Sequence, residues 1–306
     1  MASFALKVTR LAFRILGALS PRLAGQAAFY LFCRTPSRKP RGEKPIAMFA
    51  KGRELLRNAR LEMVHVDAGD VATYRLAGTV GGKRVMLVHG WASRAEYMAV
   101  LATGLHRAGA EVVLVDLPGH GRTYGKTLNI RNAAEALAAV EKAIGPFDAV
   151  VAHSFGGLAL MSAVGQMFPE VPSLAAQRLV LIGAPSQAVE IFQDFSGLLK
   201  LSPATRQALF DHVGKVAGRP LAEFDMAQIA RTETRPMLIV HAPDDKEVGE
   251  HHARSYEGIG NHISFFWADG LGHRRIVSAP DVSAAIAEFL QLPSSDRMLA
   301  HSARAS

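Results

Sequence analysis

The sequence predicts an α/β fold: a mostly parallel sheet of eight strands with helices on both faces, a small helical cap insertion and an N-terminal helical extension. Three observations predict it. From Leu61 onward, short runs that are apolar at nearly every position alternate with longer stretches of helical spacing, the texture of parallel strands covered on two sides. One gap in that alternation, Ala184 to Thr234, holds about fifty residues, more than a simple crossover needs. The first sixty residues differ from the rest in both charge and pattern.

Those sixty residues carry thirteen Lys and Arg against two acids, Glu43 and Glu54, a net of +11. The whole chain of 306 residues is only +8, so the body carries −3 and is not a basic surface. Residues 4–19 place Lys7, Arg10 and Arg14 among Phe4, Leu11, Ile15 and other apolar side chains at helical spacing, which is a basic amphipathic pattern. A second apolar run, Leu23 to Cys33, follows Pro21 and Arg22; it is about half the roughly 20 residues of a spanning helix. Three readings stay open for residues 4–33: attachment to an anionic membrane surface, a helix packed on the body, or a targeting peptide. Arg34 to Pro45, with three prolines and five cations, reads as an exposed linker. Residues 1–60 are therefore expected to be an extension and linker, and 61–306 the main domain.

The main domain opens on Leu61–Val66 and Val71–Leu76, two alternating runs joined by Asp67-Ala68-Gly69-Asp70 as an antiparallel hairpin. Val85–His89, Glu111–Leu117, Ala149–His153, Arg178–Ile182, Met237–His241 and Ile263–Trp267 supply the remaining strands. Helical spacing marks Ala95–Ala108, Asn129–Ile144 and Phe155–Met167. The insertion, at about 185–234, has Ile191, Phe192, Phe195, Leu198, Leu199, Leu201, Leu209 and Phe210 in a pattern of two or three short helices. As a group these side chains are expected to contribute to an apolar pocket.

Cys33 is the lone cysteine, which rules out an intrachain disulfide framework and makes a reducing, cytoplasmic compartment the simpler expectation, with peripheral attachment to a membrane if residues 4–33 bind one. No zinc-type spacing and no cofactor motif occurs, so no metal or cofactor is expected. Nucleic acid is not expected either, because the N-terminal cations are interleaved with Leu, Ile and Phe.

The chemistry gathers around Val150-Val151-Ala152-His153-Ser154-Phe155-Gly156-Gly157, where an apolar strand runs through small residues into a helix. A serine on so sharp a corner projects its hydroxyl clear of the backbone, and the corner closes only if residues two before and two after are small. Ala152 and Gly156 meet that need, although Ala152 departs from the usual glycine. Four other segments follow strands in the same way: His89-Gly90-Trp91, Asp116-Leu117-Pro118-Gly119-His120-Gly121, His241-Ala242-Pro243-Asp244-Asp245 and Asp269-Gly270-Leu271-Gly272-His273.

In these five motifs and their order, from about Leu61 to Leu290, the sequence resembles the α/β-hydrolase family, in its serine esterase and lipase branch. The resemblance implies a triad of Ser154 as nucleophile, an aspartate, and His273 as base. The aspartate is Asp245, which stands three residues from Ala242 and three from Val248, or else Asp244, whose alternative reading is a helix N-cap. The backbone N–H groups of Trp91 and Phe155 match the family's two oxyanion donors. His89, His153 and His241 end strands and are expected to hold turns, and His120 belongs to a structural turn. The activity that the resemblance implies is hydrolysis of a carboxylic ester or thioester with an apolar acyl group; acyl transfer with the same triad and an inactive binding module are the alternatives.

Overall fold

Eight strands pair into one sheet: β1 (Arg60–Val66), β2 (Gly69–Leu76), β3 (Arg84–Val88), β4 (Glu111–Val115), β5 (Ala149–His153), β6 (Arg178–Ile182), β7 (Met237–His241) and β8 (Ile263–Trp267). Their spatial order is β1-β2-β4-β3-β5-β6-β7-β8. The pairs β1–β2 and β2–β4 are antiparallel and every other pair is parallel. In this computed structural model residues 4–40 and 42–293 are described; the end of the expected main domain, 294–306, lies outside them. The hairpin closes more tightly than its sequence suggests, since Val66 pairs with Gly69 and only Asp67 and Ala68 form the turn.

The unbroken apolar runs follow from the two-sided cover. Alternate residues of each central strand point to opposite faces, so Met86, Val88, Val113, Val115, Val150 and Ala152 join one core cluster. Val85, Leu87, Val112, Leu114, Ala149 and Val151 join the other. The second is closed by a 3-10 turn at Ala95–Met98, α4 (Ala99–Arg107) and α12 (Pro280–Phe289). The first is closed by α5 (Ile130–Ile144), α6 (Phe155–Val164) and the insertion. Asn129 caps α5 by accepting the N–H of Asn132, whose own side chain accepts the N–H of Asn129.

The insertion forms α7 (Ala188–Leu199), α8 (Pro203–Ala217) and α9 (Met226–Thr232). Two short helices, α10 (Glu250–Arg254) and α11 (Gly272–Arg275), follow β7 and β8. The chain before the sheet folds as α1 (Phe4–Leu19), α2 (Pro21–Cys33) and α3 (Glu43–Leu55), the last of which the sequence pattern does not mark. Ser20 breaks α1 from α2 and caps α2 by accepting the N–H of Leu23, with Pro21 in the first turn. Helix α2 buries Ala24, Gly25, Ala28, Phe29 and Cys33, and packs along α8. Burial drives the Cys33 thiol up to about 12, so it stays protonated.

Residues 34–40, which follow α2, are largely exposed but tied down. Arg34 bridges Thr127, Thr35 N–H donates to Lys126 O, and the Arg38 guanidinium donates to Thr123 O and Gly125 O. Residues 4–40 and 42–60 thus lie along the body, from the helices of the insertion to the loop after β4. Arg94 stacks on Phe49 of α3 with its guanidinium carbon 3.9 Å from the ring centre, fixing the third helix near the loop after β3.

Candidate active site

Ser154 sits between the last residue of β5 and the first of α6 with φ +54° and ψ −127°, a conformation that costs energy for any residue with a Cβ. Two backbone hydrogen bonds hold it there: its N–H donates to Ile182 O at 2.9 Å, and its carbonyl accepts from Gly157 N–H at 2.8 Å. The corner needs a small residue after it because a Cβ at Gly156 would stand 2.6 Å from His89 O. Ala152, where glycine is usual, is fully buried within β5 and paired with Val88 and Leu181.

Two loops from distant parts of the chain meet that serine. His273 Nε2 lies 3.0 Å from Ser154 Oγ, and His273 Nδ1 lies 2.7 Å from Asp245 Oδ2. Asp245 and His273 are buried, whereas Ser154 is half-buried. A proton on Nδ1, facing the carboxylate, leaves the Nε2 lone pair for the serine hydroxyl. The other Asp245 oxygen, Oδ1, accepts the N–H groups of Glu247 at 2.8 Å and Val248 at 2.9 Å. Burial pushes the Asp245 carboxyl up, but the His273 and backbone hydrogen bonds outweigh it and its pKa lies below the ordinary carboxylate value. Gly183, just past β6, borders this junction with φ +51°, a left-handed conformation that favours glycine.

Asp244 takes a different place. It is not the N-cap residue of the helix that follows it; its Oδ1 accepts the N–H of Gly272, the first residue of α11, at 3.1 Å, joining the aspartate loop to the histidine loop in an exposed position. The N-cap expectation for Asp244 fails because α10 starts only at Glu250, with Gly249 before it.

Trp91 and Phe155 flank the serine from the loop after β3 and from the start of α6. Phe155 is the first helical residue, so its N–H has no partner within the helix, and that end of α6 carries the positive end of the helix dipole. The two rings meet edge to face at 5.6 Å. Phe32 of α2 stacks on Trp91 at 5.5 Å and also meets Phe192 at 4.4 Å and Phe195 at 5.2 Å. One aromatic wall therefore runs from the serine corner to α7. Phe192 and Phe195 belong to the apolar group marked in the insertion; Phe32 carries no sequence signal, because it lies in what reads as a separate extension.

His89, His120 and His153 hold backbone of the surrounding loops, whereas buried His241 Nε2 has no hydrogen-bond partner among the described residues. Leu117 N–H donates to His89 Nε2 at 3.0 Å, while His89 Nδ1 lies 2.7 Å from Gly90 O. Ala92 N–H donates to His120 Nε2, and His120 Nδ1 lies 3.0 Å from Pro118 O, which ties the loop after β3 to the turn after β4. His153 Nε2 lies 3.0 Å from the carbonyl of His273 itself, and the two rings stand 4.7 Å apart. Burial lowers His89 to about 4, and His120 and His153 to about 3, so all three are neutral near pH 7. The carbonyl anchoring of His273 by His153 is not legible from sequence, where the two are 120 residues apart.

Among the described residues one cluster has a metal-like donor set: Glu190, His251 and His252, whose ligand atoms lie within 4.8 Å of one another. Its hydrogen bonds argue against a metal. Ser186 N–H donates to His252 Nδ1 at 3.1 Å, which leaves the ring proton on Nε2, the nitrogen that faces Glu190 Oε2 at 3.5 Å. His251 Nε2 lies 2.8 Å from the same oxygen, so the carboxylate links α7 of the cap to α10.

The sequence model described as the alpha/beta hydrolase family matches residues 85–286, about two thirds of the chain. Solved structures with the same fold include Est1E from Butyrivibrio proteoclasticus with ferulic acid bound, at 17% identity and a TM-score of 0.60, covering 75% of this chain and 98% of that one. An esterase from Rhodococcus sp. is 20% identical with a TM-score of 0.55, covering 77% and 99%. A thioesterase domain from the curacin biosynthetic pathway is 15% identical with a TM-score of 0.54, covering 76% and 99%.

Proposed function

The chain belongs to the alpha/beta hydrolase family, and on that premise we propose that it is a serine hydrolase that cleaves a carboxylic ester or thioester with an apolar acyl group through an acyl-enzyme. The observation that carries this reading is the continuous Ser154–His273–Asp245 hydrogen-bond chain, with contacts of 3.0 and 2.7 Å. The esterase and thioesterase among the structural neighbours suit the same class of substrate.

In the proposed reaction Ser154 Oγ attacks the substrate carbonyl carbon as its proton passes to His273 Nε2. Asp245 keeps Nδ1–H in place and stabilises the imidazolium that forms. The N–H groups of Trp91 and Phe155 receive the developing oxyanion. Collapse expels the alcohol or thiol, which takes its proton from His273 Nε2. Water then repeats the sequence, giving up a proton to His273 as it attacks the acyl-enzyme, and the carboxylic acid leaves with Ser154 restored. The wall formed by Phe32, Phe192 and Phe195 beside Trp91 supports an apolar acyl group.

A fluorophosphonate probe tests the nucleophile. Wild-type protein is expected to be labelled and Ser154→Ala unlabelled, with p-nitrophenyl ester hydrolysis reduced by about four orders of magnitude or more. An unlabelled wild-type protein, or Ser154→Ala retaining more than about a tenth of the rate, would overturn the assignment.

A further inference from the structure

We propose that the outward face of α1 seats the protein on an anionic lipid bilayer. Phe4, Val8, Leu11, Ile15 and Leu19 follow one another at intervals of three or four residues, so they share one side of the helix. Each is between 46% and 83% exposed. Scattered exposed leucines need no explanation, but five apolar side chains in one stripe do.

The rest of α1 is already engaged. Gly17 is buried and Phe13 packs against the core. Arg10 Nε donates to Leu198 O at 2.8 Å, fastening α1 to the end of α7. Arg10 therefore serves the fold, and the cations available to a partner on α1 are Lys7 and Arg14, both exposed. They stand three residues after Phe4 and Leu11, which places them along one border of the stripe. Arg22, also exposed, follows just beyond α1.

That pairing of an apolar strip with a cationic border selects the partner. Residues 1–42 contain eight Lys and Arg and no acid. A second copy of the chain packed antiparallel would bring Lys7 and Arg14 against their own equivalents, and in either orientation residues 1–42 offer them no acid. A nucleic acid offers nothing to cover the apolar row. An anionic membrane interface offers both, an acyl boundary for the row and headgroups for its border. The helix lies on such a surface without crossing it: among the described residues no helix is long and apolar enough to span. Because its inner side stays on the cap, docking needs no unfolding of α1 from the body. The proposal does not rest on the chemistry assigned to Ser154.

The test is co-sedimentation of the full chain with vesicles of equimolar phosphatidylglycerol and phosphatidylcholine, or of phosphatidylcholine alone. Wild-type protein is expected to sediment with the anionic vesicles at low salt and much less at high salt or with the neutral ones. Replacing both cations in K7Q/R14Q should weaken partition about 25-fold, since each cation near such a surface contributes about fivefold. Placing acids in the stripe with L11E/I15E should weaken it by about two orders of magnitude. Both variants should keep wild-type fluorophosphonate labelling and melting temperature. K7Q/R14Q changes surface charge alone, so it remains decisive if L11E/I15E folds poorly. The proposal fails if wild-type protein stays in the supernatant at low salt, or if both variants sediment like wild type. It also fails if the stripe mutations turn a soluble oligomer into a monomer while lipid binding is unchanged, which would assign the face to self-association.

Discussion

Replacing Asp245 by asparagine is the sharpest test of the site, because an adjacent aspartate serves as its control. Asp245 uses its two oxygens differently: Oδ2 meets His273 Nδ1 at 2.7 Å, and Oδ1 accepts two backbone N–H groups at 2.8 and 2.9 Å. An asparagine that keeps its carbonyl on the backbone donors must turn its NH₂ toward Nδ1. A donor there draws the ring into the opposite tautomer, with the proton on Nε2, where the base must be free. The expected loss in kcat is about 10⁴-fold, or about 5.5 kcal/mol in barrier height. Because the loop hydrogen bonds survive, the folded protein should remain intact. Asp244→Asn loses only the charge on an exposed hydrogen bond to Gly272 N–H, worth about 1 kcal/mol, and should cost less than about tenfold. The assay is steady-state hydrolysis of a soluble p-nitrophenyl ester, with thermal melting as the check on folding. If Asp244→Asn were the more damaging, or Asp245→Asn kept more than about a tenth of wild-type kcat, the tautomer argument would be refuted.

Two further outcomes can be checked without knowing the natural substrate. Phe32→Ala should shift the preference among p-nitrophenyl esters toward longer acyl chains, seen mainly in KM, because removing a ring packed on Trp91, Phe192 and Phe195 widens the wall; a lower melting temperature with an unchanged chain-length profile would make Phe32 merely structural. Acid should destabilise the fold through His89, His120 and His153: with folded pKa values depressed to about 4, 3 and 3, the unfolded chain binds more protons than the folded one below about pH 6.5, so stability falls as pH drops toward those values. These three histidines contribute at most about 4 kcal/mol per pH unit; His212, His241 and His252, also lowered by burial, add to that slope, whereas Asp116 and Glu96, raised by burial, act in the opposite sense. Urea unfolding at pH 7, 6 and 5 measures it, and stability that does not fall over that range would show these groups are not buried neutral.

The sheet was legible because its physics is local. A strand covered on both sides must be apolar at successive positions, so Ala149–His153, Arg178–Ile182 and Met237–His241 could be bounded to the residue. The candidate triad of Ser154, Asp245 and His273 was legible only through the family resemblance, because each matches a motif that follows a strand end. Helix α3 was not, because Lys44, Pro45, Lys51 and Arg53 leave only Phe49 and Gly52 buried and give the segment little periodic signal. The contact between His153 and the His273 carbonyl was hidden for want of any local cue, since it depends on the neighbouring places of β5, β6, β7 and β8 in the sheet.

The N-terminal segment shows where charge arithmetic stops being informative. Its excess of cations marks it as different from the body, and difference in composition reads naturally as separateness in space. Yet α2 buries Ala24, Ala28, Phe29 and Cys33, and sends Phe32 to Trp91, one residue from the Gly90 that lies against Ser154. The cations do not oppose this packing because the Arg38 guanidinium donates to backbone carbonyls of the loop after β4, and Arg10 to a carbonyl at the end of α7. Cutting the chain before Leu61 would expose the α8 surface and remove one side of the aromatic wall, so a truncated protein cannot separate membrane docking from catalysis. Point changes on the outward face of α1 can, because Leu11 and Ile15 are exposed while the side of α1 that meets the cap is left as it is.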